Sequence, residues 1–442
     1  MLKPLLQNKI VKNAGWIIGC KVIKAFLTLV VTAISARYLG PGDYGLLNYA
    51  ASVVTFAAPL MKLGLDSTEV KEIVGRPDDE GKVVGTTIYL NFFSSLLCII
   101  GVFAFVSIAN RNEPETIVVT MIYSLLLMFQ AFEMIQYWFH AKFMAKYISM
   151  AMLFSYIVVA AVQITVLFCG LGIYWYAFAN STDYLLIAVL LIYIYKKKGG
   201  QKLRFSKKLA LEMLSVSKYY ILSSIMITVF AQTDKIMIKL MIGNDETGFY
   251  SAAVTCAGMT SFVFAAIIDS MRPAIFEKKN IDENEFRKKL KTLYSVVIYL
   301  SLLQSLVMTI AAPLIIKILY GSDFINAAAP LRIIVWYTTF SYLGTIRDIW
   351  IIAENKQKYI VAINACGAVF NVILNFPLIH FLGINGAAIA SLFTQIFNNV
   401  IVGFIFKPIR PNNKIVIESL SLKYLKKRRE ENVNDETDKK DD

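Results

Sequence analysis

Lys21 and Lys24 stand three residues apart inside a long apolar run, and Thr28 and Ser35 continue the same helical face. Ionisable side chains in a bilayer core are costly unless they meet a cavity or a partner, so each is a functional candidate. With a helix starting near Asn13, a rise of 1.5 Å per residue puts Lys21 roughly 12 Å and Lys24 roughly 16 Å below the membrane edge. Lys21 is shallow enough for its stem to reach the interface, whereas Lys24 is not. Two ammonium groups at that depth suit an anion drawn into the membrane.

Further charges interrupt later runs. Ser224, Thr228, Gln232, Lys235 and Lys239 share one helical face, with Asp234 beside Lys235 as a candidate partner. Asp269 and Arg272 have the spacing of an internal pair, and Arg332, Arg347 and Asp348 load one later run. Lys21, Lys24, Lys235, Arg332 and Arg347 are therefore the candidate cationic substrate-binding residues. Among the acids, Asp183 lies near the middle of its run, and Glu133 shares a face with Gln130, Tyr137 and His140. Either acid has the chemistry to carry a coupling ion, proton or sodium; a structural acid satisfied by its neighbours is the competing reading. Asn364, Asn371, Asn375, Ser391, Gln395 and Asn398 have the character of polar glue between helices.

The elements that position these groups are transmembrane helices. Of 442 residues 57% are apolar and only 17% charged, with mean hydropathy +0.57, where soluble domains carry about a quarter charged residues. About twelve apolar runs of spanning length recur between Asn13 and Phe406. The first run holds two lysines and no small-residue cleavage site follows it, so it is expected to be retained as a helix and not removed as a signal peptide. The five cysteines lie in or beside apolar runs without ligand spacing and read as small core hydrophobes, with no metal site.

Basic residues collect on one side. The loops around Lys9, Lys71, Lys82, Lys142, the block from Lys196 to Lys208, Lys278, Lys279, Lys356 and the tail are basic, while the opposite loops hold little beyond Arg37, Arg111 and Lys239. The positive-inside rule then makes both termini cytoplasmic. The net charge of +14 is accounted for by topology and anionic lipid, without nucleic acid as a partner.

The chain also repeats itself. WFHAKFMAKYI, from Trp138, returns as WIIAENKQKYI, from Trp350; GPGDYG, from Gly40, returns as GNDETG, from Gly243; and Leu171-Gly172-Ile173 returns as Leu382-Gly383-Ile384. Each pair lies six crossings apart, which predicts parallel repeats related by an axis along the membrane normal, the architecture of an alternating-access transporter. The expected organisation is an all-α integral membrane protein of about twelve helices. A first lobe occupies residues 1–195, a basic linker 196–208, a second lobe 209–406, and a charged, disordered tail 407–442. Phosphate-binding loops, HExxH and nucleophile elbows are absent, the histidines are only His140 and His380, and the outward loops are short, so an enzyme is not expected.

The stretches ARYLGPGDYGLLNYAASVVTF, from Ala36, KLGLDSTEVKEI, from Lys62, QYWFHAKFMAKYIS, QTDKIMIKLMIGNDETGFYSAA and MRPAIF resemble the Wzx-type polysaccharide flippases of the MOP exporter superfamily. The resemblance covers the whole membrane portion. It implies a two-lobed, MATE-like fold that moves undecaprenyl-pyrophosphate-linked oligosaccharide repeat units, for O-antigen, capsule or a related polymer, from the inner to the outer leaflet of the bacterial cytoplasmic membrane. It also implies a cationic central cavity, no organic cofactor, and a glycan polymerase and chain-length regulator as partners. Relatives usually carry Arg where this chain has Lys71, which lacks the bidentate fork and weakens a phosphate role there. The alternatives are a drug or cation antiporter of the same superfamily, which would place acids in the first helix, and a membrane glycan polymerase or ligase, which would need larger outer loops.

Overall fold

The computed structural model describes residues 9–279 and 281–421, leaving aside the side chains of residues 9–18, 21, 22, 219 and 223. The chain runs through α1 (Lys9–Lys62), α2 (Glu69–Gly75), α3 (Glu80–Ala109), α4 (Pro114–Gln130), α5 (Gln136–Ala141), α6 (Ala145–Phe168) and α7 (Gly172–Lys197). It continues through α8 (Lys207–Met241), α9 (Asn244–Gly258), α10 (Ser261–Lys279), α11 (Glu283–Tyr320), α12 (Ala328–Ala353), α13 (Lys358–Ile396), α14 (Val402–Ile405) and α15 (Arg410–Ser419).

Among the described residues nine helical stretches are long and apolar enough to span a bilayer. Two of them hold two crossings each. In α1 the chain turns at Gly40 (φ 72°, ψ 174°), where Pro41 follows; in the stretch containing α13 it turns at Gly383 (φ 60°, ψ −140°). Only glycine enters these regions without a Cβ clash. Helix α12, of 26 residues, lies outside the nine and carries Arg332, Arg347 and Asp348. Among the described residues the protein is thus an all-helical, multi-pass membrane protein, and the nine stretches, two of them doubled, together with α12 account for the about twelve apolar runs read from the sequence.

The fold divides into two compact units, residues 1–251 with 319–324, and residues 252–318 with 325–442. In the first, one core gathers Leu65, Ile73, Val83, Ile135, Trp138 and Leu191, and a second gathers Tyr49, Val53, Met61, Val106 and Leu127. Helix α8 belongs to this unit along its length. A Cβ on Gly64 would stand 2.6 Å from the Ser217 carbonyl, Ile236 packs on the Tyr49 core, and Lys239 Nζ lies 2.6 Å from Glu113.

The basic linker is laid on α3. Arg204 N–H donates to the Gly81 carbonyl (3.1 Å), Gly81 N–H to Gln201 Oε1 (3.0 Å), and Ser206 N–H to Thr86 Oγ1 (3.0 Å). Gly81 and Gly85 permit this approach, since a Cβ on either would meet linker backbone at 2.5 Å.

The second unit is built on Phe286, Tyr294, Tyr342, Trp350 and Ile415, with the Phe264 and Tyr342 rings stacked at 4.1 Å. The chain beyond Phe406, expected as a disordered tail, is helical as far as α15. Tyr294 Oη donates to Asn412 Oδ1 (3.0 Å), Ser295 Oγ donates to the Ser419 carbonyl (2.5 Å), and Lys291 pairs with Glu418 (2.6 Å). Buried Ile409 and Ile415 give this segment an apolar face despite its charge. The tail beyond residue 421 lies outside the described residues.

The repeated motif folds twice into the same turn. Trp138 and Trp350 are each 3% exposed, and each carbonyl accepts the N–H four residues on, from Lys142 (3.1 Å) and Glu354 (3.0 Å). Met144 N–H reaches back to Phe139 (2.8 Å) as Lys356 N–H reaches back to Ile351 (2.9 Å). The other two echoes also share their backbone sign: Gly40 and Gly243, and Gly172 and Gly383, all have positive φ. Cysteine placement departs from the core reading. Cys20 and Cys256 are buried, but Cys169 and Cys366 are exposed, because the outer surface of a membrane protein accepts apolar side chains as readily as its interior does.

Candidate functional site

In the first unit, α1, α4, α6 and α7 enclose a cavity of about 290 Å³ whose polar lining includes Gln130, Tyr156, Gln163, Asn180 and Asp183. Ser155 Oγ donates to Asp183 Oδ1 at 2.8 Å, and Gln163 Nε2 donates to Asn180 Oδ1 at 3.0 Å. Asn180 Nδ2 donates to the Tyr176 carbonyl, and Tyr176 Oη donates to Ser35 Oγ at 2.6 Å, tying the cavity wall to α1. Gln130 Oε1 is buried with no hydrogen-bond donor.

Lys24 stands at the edge of this group, half-buried, with Nζ 5.3 Å from the centroid of the Tyr156 ring. Its charge acts on both Asp183 and Glu133, and Lys62 acts on Glu133 as well. The structure therefore brings together Lys24, Asp183 and Glu133, three residues expected from sequence on separate helices. Thr28 and Ser35 both turn their hydroxyls into their own helix, donating to the Lys24 and Val31 carbonyls at 2.7 Å, so Lys24 supplies the charge of the polar stripe of α1. The side chain of Lys21 lies outside the described residues.

The other expected cations lie elsewhere. Lys235 is half-buried on α8, and neighbouring Asp234 accepts a 2.6 Å hydrogen bond from Tyr250 Oη. Lys239 is buried against Glu113, whose carboxylate also accepts from Thr116 and Asn110. Burial acts to raise the Glu113 carboxyl, but these hydrogen bonds and the Lys239 charge outweigh it and hold it below the usual range.

In the second unit Arg332 is exposed, while Arg347 is buried and satisfied. Its Nη1 donates to the Asn398 carbonyl and to Asn399 Oδ1, each at 2.8 Å, and its Nη2 lies 2.8 Å from Asp348. Asn398 and Asn399 sit on a π-helical turn, Phe397–Ile401, a distortion frequent at functional sites. Gly344 and Gly367 leave the space for them, since a Cβ at either would overlap an asparagine side chain. Asp269 and Arg272 pair with each other at 3.0 Å.

Sequence reasoning missed Gln163, Asn180 and Tyr156. Their signal was present: Ser155 and Gln163 are eight apart, and Asn180 and Asp183 three apart, each pair on one helical face. It also missed Glu69, which is fully buried at the start of α2 against α3; Thr87 Oγ1 donates to its Oε1 at 2.9 Å, and Oε2 has no donor. Burial pushes the Glu69 carboxyl well above the usual carboxylate range; the Thr87 hydrogen bond opposes this and the Asp66 charge adds to it.

Residues 10–279, more than half of the chain, match the polysaccharide biosynthesis protein family. A putative O-antigen transporter of Shigella flexneri is 21% identical over 90% of this chain and 97% of its own length. The succinoglycan biosynthesis transport protein ExoT of Rhizobium meliloti is 23% identical over 74% of this chain and 66% of its own. An uncharacterized membrane protein of Methanocaldococcus jannaschii, MJ1068, is 26% identical, the match spanning 49% of this chain and only 45% of that protein. Among solved structures, the inward closed lipid II flippase MurJ superposes with a TM-score of 0.67 at 16% identity over 91% of this chain and 90% of MurJ. An inward-facing MATE multidrug transporter gives 0.65 at 14% identity over 89% of this chain and 96% of its own. The chain therefore belongs to the polysaccharide biosynthesis protein family, on the fold of the MOP-superfamily transporters.

Proposed function

We propose that this protein flips a polyprenyl-pyrophosphate-linked oligosaccharide from the inner to the outer leaflet of a cytoplasmic membrane by alternating access, supplying a surface polysaccharide. The observation that carries this reading is Lys24, an ammonium group 5.3 Å from the centroid of the Tyr156 ring and within the field of two acids. A lipid-linked sugar presents a pyrophosphate at its membrane end, and attraction to such an anion gives reason to keep a charge there. The transport roles of the Shigella and Rhizobium relatives support the same reading. Lys21, Lys235, Arg332 and Arg347 are the further candidate cations. Arg347, already bonded on several sides, would act by holding the π-turn, and Asp183 and Glu133 are the candidate groups for a coupling proton or sodium ion.

In this reading the basic loops and both termini are cytoplasmic, so the turns at Gly40 and Gly243 face outward. A glycan polymerase and a chain-length regulator would act downstream on the delivered unit.

The test is deletion of the gene in its own host, complemented by wild type, Lys24→Ala, Lys24→Glu or Lys24→Arg, with surface polysaccharide and membrane abundance measured together. Loss of surface polysaccharide on deletion, restored by wild type and not by Lys24→Glu at equal abundance, supports the proposal. Unchanged polysaccharide in the deletion strain refutes it.

A further inference from the structure

Helix α15 leaves the last crossing by one tight turn. Phe406 is extended, Lys407–Ile409 makes a single 3-10 turn, and Arg410 opens α15 with its Nε donating back to the Phe404 carbonyl at 2.7 Å. Asn413 Nδ2 donates to the Val400 carbonyl at 2.8 Å, and a Cβ on Gly403 would lie 2.2 Å from Asn413 Oδ1, so the helix starts hard against the end of that crossing. Its far end is fastened to α11, where Tyr299 Oη donates to the Leu420 carbonyl at 2.5 Å.

Both fastening points lie where the protein surface changes character. Along α11 the exposed side chains are polar at its start, with Glu283, Asn284 and Arg287, and turn apolar from Leu300, with Leu302 and Leu303 following. At the end of the last crossing, exposed Phe404 and Ile405 give way to exposed Lys407 and Arg410. A helix of ten residues is about 15 Å long. With each end held at a boundary between water and hydrocarbon, α15 runs along the membrane surface and not away from it.

Its two faces differ. Asn412, Ile415 and Ser419 are buried, with Asn412 on Tyr294 and Ile415 in the core of the second unit. The opposite face carries Arg410, Lys414 and Ile417 at helical spacing, with Leu420 at its edge, all exposed. Ile417 and Leu420 are each more than half exposed. Against water these two side chains gain nothing; at a bilayer surface they enter the acyl boundary while Arg410 and Lys414 stay among the headgroups. The sequence that follows keeps the same chemistry. Leu422, Tyr424 and Leu425 are interleaved with Lys423, Lys426, Lys427, Arg428 and Arg429, and no acid intervenes before Glu430. An apolar edge joined to a run of cations supplies the two signals that hold a segment on an anionic bilayer.

We propose that α15 and the basic run to Arg429 form a binding surface for anionic phospholipid, with Ile417 and Leu420 at the acyl boundary and the cations on headgroup phosphates. The inference is independent of the substrate the protein carries. Because α15 is bonded both to α11 and to the end of the last crossing, lipid held there steadies the junction between them.

The test uses full-length protein with its five cysteines replaced by alanine, reconstituted in liposomes of phosphatidylcholine alone or with added phosphatidylglycerol. A nitroxide is attached at Ile417→Cys and, as references, at Asn284→Cys for water and Leu303→Cys for hydrocarbon. Its collisions with oxygen, which concentrates in the bilayer, are compared with those of a water-soluble nickel chelate. The proposal predicts an oxygen-to-nickel ratio at Ile417 severalfold above that at Asn284, rising further with phosphatidylglycerol and falling back at high salt. Combining Lys414→Gln, Lys426→Gln, Lys427→Gln, Arg428→Gln and Arg429→Gln should remove most of the response to phosphatidylglycerol, with the two reference positions unchanged as the check on folding. A ratio at Ile417 equal to that at Asn284, or one indifferent to phosphatidylglycerol, overturns the proposal, as does a response that survives the five substitutions. Protection from nickel in native membrane vesicles but in neither liposome also overturns it, and gives the face to a protein partner.

Discussion

Phe143 and Asn355, 212 positions apart, adopt the same left-handed backbone, with φ of 55° and 56°. Each closes the helix that carries its repeat's tryptophan. Asparagine tolerates this region where most residues do not. Asn355→Ala is therefore expected to cost about 1 kcal/mol, and Asn355→Gly to be close to neutral. Thermal unfolding of purified protein in detergent checks both. Equal melting temperatures for the alanine variant and wild type would contradict the strain argument.

The residues just before these two exchange sign. Lys142 pairs with Glu80 in the first unit, and Glu354 pairs with Lys279 in the second. The Glu80 side chain is only 7% exposed and also accepts from Trp138 Nε1 at 2.8 Å. Lys142→Glu should then destabilise by roughly 2 kcal/mol, because a buried carboxylate loses its cation and faces another anion. Glu80→Lys with Lys142→Glu should recover part of the loss. A double variant less stable than both singles would show that the pair does not act through charge.

Glu69 sets a pH dependence. Its carboxyl in the folded protein lies well above its unfolded value, so the folded state binds the proton more tightly, and stability falls as pH rises from the unfolded value towards the folded one. Glu69→Gln removes that proton and should flatten the decline in melting temperature from about pH 4.5 upward. Identical pH profiles for the two proteins would place the slope on other groups.

Hydropathy made the helices legible, and the paired echoes exposed the duplication, because a left-handed glycine or a tryptophan at a helix end leaves a local mark on sequence. The polar interior was legible only where charge was conspicuous. Lys24, Asp183 and Glu133 stood out as ions in apolar runs, whereas Gln163, Asn180 and Tyr156 are ordinary polar residues in helices, and only packing shows that they share a cavity. Arg347 looked the same as Lys24 in sequence. What separates them is the pair of asparagines on a π-turn more than fifty residues later, which satisfies the guanidinium.

Asp183 accepts from Ser155 beside the Lys24 charge, which predicts coupled effects. Asp183→Asn and Lys24→Ala should each lower export severalfold, and the double variant should lose less than the product of the two, because removing one charge takes away part of the other's role. Surface polysaccharide normalised to membrane abundance is the measure. Independent, multiplicative losses would show that the two residues do not work together.

The most direct measurement reconstitutes the full-length protein in liposomes containing an undecaprenyl-pyrophosphate-linked oligosaccharide from the host. The rate at which inner-leaflet glycan becomes accessible to an impermeant lectin outside is then followed. Wild type is expected to raise this rate well above that of protein-free liposomes, Lys24→Glu to bring it back to the protein-free rate, and Lys24→Arg to fall between. A wild-type rate equal to that of empty liposomes, with the protein folded and inserted, would contradict the account.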